Sequence, residues 1–110
     1  MASAERGMRQ MELIDNLFVA ENVSNLETVI YSLRRDIPVL RLYCIVYFAD
    51  RNRLEILSSR ELFTPRYKGR RGVIAGIAMG RAEAVDMLLT MAREAEANGR
   101  NAGDPSQLIL

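Results

Sequence analysis

At 110 residues, with 49% apolar and 26% charged side chains, the chain has the size and composition of one globular domain, which excludes a disordered polymer. Its formal net charge of +1 supplies no global field for nucleic acid or acidic lipid, and no apolar run reaches the ~20 residues that span a bilayer. The chain has no histidine and one cysteine, which excludes standard zinc sites, cysteine–histidine pairs and Ser–His–Asp triads.

The opening segment MASAERGMRQMELIDN carries acids and lacks an apolar stretch, so it does not read as a secretory signal. The single cysteine cannot form an intrachain disulfide, which fits a reducing compartment, and a cytoplasmic location is expected. Met8, Met11, Ile14, Leu17 and Phe18 fall at helical spacing with Arg9, Glu12, Asp15 and Asn16 between them, which predicts an amphipathic helix over 8–19. Ser24 with Glu27 three residues on has the pattern of a capping box. The helix it opens would bury Leu26, Val29, Ile30 and Leu33 and stop before Pro38, since the residue preceding proline is pushed out of the helical region. The two helices are expected to form an antiparallel hairpin.

Residues 39–49, VLRLYCIVYFA, are dense in β-branched and aromatic side chains and predict a strand. Leu40, Leu42, Cys44, Val46 and Phe48 line one face; Val39, Arg41, Tyr43, Ile45 and Tyr47 line the other, so both faces should be covered. The tetrad DRNR reads as a turn and residues 54–57, LEIL, as an antiparallel return strand. A second capping box, Ser58 with Glu61, opens a single helical turn ended by Pro65. RYKGRR, residues 66–71, then reads as a solvated basic loop.

Gly72, Gly76 and Gly80 punctuate the next segment. As a helix it would carry a penalty of roughly 3 kcal/mol for those glycines, so residues 73–79 are read as a buried strand. Simple alternation puts Val73, Ala75, Ile77 and Met79 on one face and Ile74, Gly76, Ala78 and Gly80 on the other, a surface small enough for close approach of a helix or a ligand. A helix over 81–98 follows, with Ala84, Met87, Leu88, Met91, Ala92 and Ala95 in its apolar stripe, widened by Val85 and Leu89, and Asn98–Gly99 as its stop. The expectation is a small α+β domain over 1–99: a three-stranded sheet (39–49, 54–57, 73–79), two N-terminal helices and one C-terminal helix. The first and third strands should be central neighbours. Residues 100–110 form a polar tail with an apolar end.

No residue is assigned a catalytic role, and neither a metal nor a cofactor is expected. Cys44, in the middle of an apolar strand, reads as a buried thiol, and the acids sit in no recognisable catalytic motif. Between Glu61 and Glu83 there is no acid, while Arg66, Lys68, Arg70, Arg71 and Arg81 are all basic. One reading joins the loop residues Arg66, Lys68, Arg70 and Arg71 to a helix start at Gly80 and Arg81 as a site for a phosphorylated small molecule or nucleic acid, with Tyr67 as a stacking residue. Against it, the glycines match neither phosphate-loop nor dinucleotide spacing, and Glu83 in the first helical turn would repel an anion. The leading expectation is a small, non-enzymatic, self-associating and partner-binding module, a dimer for preference. Met87, Met91, Leu108, Ile109 and Leu110 are the candidate contact residues.

Overall fold

The computed structural model describes residues 11–68 and 70–110, without the side chain of Lys68. In chain order the elements are β1 (Met11–Val19), α1 (Leu26–Arg34), β2 (Leu42–Phe48), β3 (Arg53–Ser58), the short α2 (Ser59–Leu62) and α3 (Pro65–Lys68), β4 (Gly72–Met79), α4 (Arg81–Ala97) and α5 (Pro105–Leu108). This is an α+β fold. Its sheet has four strands in the order β1-β4-β2-β3. β4 runs parallel to β1 and antiparallel to β2, and β2 and β3 form an antiparallel hairpin. The expected pairing of the two most apolar strands at the centre is observed.

The expected first helix is a strand wherever it is described; Met8 and Arg9 lie outside the described residues. Leu13 pairs with Ile74, yet the next pair is Phe18 with Gly76, so Ile14–Leu17 bow out of the ladder opposite Ala75 alone. Asp15 and Asn16 are exposed in that excursion. The three extra residues of this excursion break the alternation of the strand, and the apolar side chains at 14, 17 and 18 fall at the spacing of a helix face. What decides the conformation is the open edge of β4, whose backbone groups need partners on both sides.

A second irregularity lies between β4 and β2. Ile45 pairs with Gly76 and Val46 with Ile74, which makes Ala75 a β-bulge. The bulge shifts the phase of β4, so the alternation expected from sequence fails at that point. Ile74 joins Ile77 in the cluster formed with Cys44, Val46, Phe48, Leu57, Leu62 and Tyr67, together with Val29 and Leu33 of α1. Ala75 and Ala78 join Ile45 in the other cluster, with Ala84, Met87 and Met91 of α4. The small residues thus gather under α4, which lies close on the sheet.

The α1 helix forms, but without the expected capping box. Asn25 is its N-cap, in the left-handed conformation (φ 53°) and with no side-chain cap bond. The helix thus begins one residue later than a Ser24 cap would place it. β2 begins at Leu42 rather than at Val39, because Arg41 has φ 66° and the Leu42 N–H donates to the Val39 carbonyl in a turn (3.1 Å). Leu40, expected on the buried face, is left at the tip with 77% of its surface exposed. The buried Ser59 hydroxyl holds this turn: it accepts from Val39 N–H and donates to Val39 C=O, both at 2.8 Å. The Ser58–Glu61 capping box is present as expected.

Candidate partner-binding site

At the end of β4 the chain is fixed by backbone mimicry. The Asn22 side-chain amide donates to the Met79 carbonyl (2.8 Å) and accepts from the Met79 N–H (3.1 Å). It thereby stands where one more residue of β1 would pair, and it holds the segment Phe18–Glu21 beside the start of α4. The Ala20 N–H donates to the Ile77 carbonyl (3.0 Å). Since successive peptide groups of a strand face opposite edges, that bond turns the Val19 N–H and C=O outward. Among the described residues β1 pairs with β4 only, which leaves its outer edge open there.

Between this edge and α4 runs a groove of about 390 Å³, lined by Phe18, Val19, Ala20 and Glu21 on one side. Glu83, Asp86, Met87, Thr90 and Glu94 line the helical side. Phe18 and Met87 make an apolar floor above Gly76, where an added methyl would meet the Met87 sulfur at 3.0 Å and the Phe18 Cβ at 3.5 Å. The rim is acidic: Glu21, Glu83, Asp86 and Glu94 line the groove, and among the described residues neither lysine nor arginine does. Three of the four follow α4 from 83 to 94, a rise of roughly 16 Å at 1.5 Å per residue. Among the described residues no group of three or more acids comes together as a metal site. The groove therefore presents a line of negative charge along an apolar floor.

The residues expected to bind an anion do not converge. Arg66, Arg70 and Arg71 precede β4, whereas Gly80 and Arg81 follow it; a strand of that length separates them by roughly 25 Å. The basic segment is also more structured than a solvated loop. Pro65–Lys68 is a helical turn, and Tyr67 is 6% exposed and stacked on Phe48 with ring centroids 6.1 Å apart. The tyrosine is part of the core, which removes it as a platform for a base. The Arg70 guanidinium lies over the Phe48 ring at 3.9 Å and pairs with Glu55 at 3.5 Å. Its charge is thus partly answered within the chain. Arg66 lies over the Tyr67 ring at 5.6 Å, Arg71 and Arg81 are exposed, and the Lys68 side chain lies outside the described residues.

The residues expected in self-association divide between core and surface. Met87, Met91 and Leu108 are buried within the chain, Ile109 packs on the same cluster as α4, and Leu110 is exposed. The outer side of α4 carries Val85, 39% exposed, and Leu89, 50% exposed, four residues apart and so adjacent on the helix. Cys44 is buried, and loss of solvation pushes its thiol up to about 12, so it stays protonated near neutrality. Among the described residues no helix is long and apolar enough to cross a membrane. Comparison with protein-family models, curated proteins and solved structures finds no match.

Sequence reasoning missed the groove. It exists only because residues 18–21 form the end of a strand, and a helix over 8–19 hides that. The usable signal was Phe18–Ala20, an uninterrupted apolar run followed by the turn-forming Asn22.

Proposed function

We propose that this protein is a small cytoplasmic, non-enzymatic module that works by docking, associating with copies of itself and binding a protein partner. The observation that carries the reading is the apolar surface left outside the core on α4, where Val85 and Leu89 face away from the sheet. A helix that has already buried Ala84, Met87, Met91 and Ala95 gains nothing within its own chain from this second apolar strip. Contact with a second copy would remove it from water, at ~25 cal/mol per Å² of apolar surface. The groove beside β1 supplies a separate surface for a different partner. The basic residues 66–71 and the Gly80–Arg81 helix start stand at opposite ends of β4, which favours this reading over a shared phosphate or nucleic-acid site.

Light scattering on a sizing column tests the self-association. A dimer is expected at micromolar concentration, and Val85→Glu with Leu89→Glu should convert it to a folded monomer. A wild-type protein that is monomeric throughout that range overturns the reading.

A further inference from the structure

The groove and the open edge of β1 occur together, and their combination selects an occupant. An extended chain laid beside β1 can pair with the outward N–H and C=O of Val19, the mode in which peptides add a strand to a sheet edge. In that position every second side chain faces α4, where a basic residue can lay its stem over Phe18 and Met87 and set its charge against Glu21, Glu83, Asp86 and Glu94. The others face the opposite side of the sheet, beside the apolar Leu17 and Val19. The carboxylates are strung along the helix rather than gathered round a point, and among the described residues they form no metal site. Their span of roughly 16 Å matches about five residues of extended chain. A second copy docked through this same groove by a two-fold axis would set the acids against one another, which is unfavourable.

We propose that the β1–α4 groove binds an extended segment of a partner protein in which lysine or arginine alternates with apolar residues, taken up as a fifth strand on the edge of β1. This rests on the docking role proposed above but uses a surface separate from Val85 and Leu89. The acidic rim provides attraction and selects against acidic segments, while backbone pairing fixes the register.

The probe is a fluorescein-labelled six-residue peptide of alternating lysine and valine, titrated by anisotropy into the full chain at low salt. Saturable binding is expected, weakened at least tenfold by Asp86→Lys with Glu94→Lys, two exposed positions whose change leaves the core intact. The thermal melt of the variant checks that it is folded, and Thr90→Arg serves as a second variant that narrows the groove and reverses its local charge. Two control peptides separate the mechanisms: one with glutamate for lysine, and one N-methylated at alternate residues, which keeps the charge and removes backbone donors. Both should fail to bind. Absence of binding by the lysine peptide, or equal binding by the N-methylated one, overturns the proposal. If the peptide fails while the protein still dimerises through α4, strand addition is wrong and the docking role stands; if binding occurs to a strict monomer, the reverse holds.

Discussion

Gly72, Gly76 and Gly80 are evenly spaced, but each position is constrained differently. A methyl at Gly72 would lie 2.9 Å from each of the Met11 sulfur, Phe48 Cε1 and Val46 Cγ1. The ring and the branched carbon cannot retreat from a core packed on both sides, so Gly72→Ala should destabilise by about 1–3 kcal/mol. At Gly76 the nearest atom is the end of the flexible Met87 side chain, at 3.0 Å, and Gly76→Ala should cost less, under about 1 kcal/mol. Gly80 has open space around it, but its φ of 89° and ψ of 149° belong to a region almost reserved for glycine. There the cost of about 1–3 kcal/mol is backbone strain. Urea unfolding of the three alanine variants checks this, with Gly76→Ala expected nearest to wild type. Three equal losses would show that a single cause, such as lost strand packing, governs all of them. At this scale the sequence was partly legible: it identified the segment as a buried small-residue strand, but it could not reveal the bulge at Ala75 that regroups its faces.

Among the elements, the β2–β3 hairpin, the second capping box and α4 were readable from local chemistry, whereas β1, created by a distant partner, was not, and the Ser24–Glu27 pattern did not become a cap. The β2–β3 hairpin, the Ser58–Glu61 cap and α4 (expected over 81–98, observed over Arg81–Ala97) depend on residues a few positions apart. β1 depends on β4, some 60 residues away, and its polar Asp15–Asn16 excursion imitates helical periodicity. The groove inherited that illegibility from β1. The tail shows the same dependence. Tyr47 Oη donates to Asn52 Oδ1 (2.7 Å), Asn52 Nδ2 donates to Asp104 Oδ1 (3.1 Å), and Asp104 in turn caps α5 by accepting from the Ser106 N–H (3.1 Å). The Asn52 and Ser106 side chains hold the Asp104 carboxyl below the usual carboxylate range. A depressed folded value means that the carboxylate favours the docked tail at neutral pH. This contribution is lost as the pH falls through and below the ordinary carboxylate range. The protection of the Ser106–Leu108 amides against hydrogen exchange should therefore fall on acidification, relative to that of the sheet. Asp104→Ala should have fast exchange there at neutral pH, with little further acid response; a tail equally protected in both proteins would contradict the arrangement.

At the scale of the whole molecule, β4 is the strand on which the sheet depends. Among the described residues it alone joins β1 to the rest of the sheet, and without it the remaining pairing is the single hairpin β2–β3. An isolated two-stranded hairpin is at best marginal in water. A chain ending at residue 71 should therefore lack cooperative unfolding in a thermal melt followed by circular dichroism, even though it retains three of the four strands. A sharp transition in that fragment would show that the sheet can close without β4.

The parallel pairing of β1 with β4 also sets a timetable. On a ribosome β1 is made early and its neighbour late, with roughly 50 residues translated between them. At about 5–20 residues per second, β1 spends some 3–10 s as an orphan. During that interval the nascent chain carries an apolar strand with both edges unclaimed, a state in which strands of neighbouring chains can pair wrongly. Glu12, Asp15 and Asn16, exposed in the finished fold, interrupt that strand with charge and polarity and would act as gatekeepers during the wait.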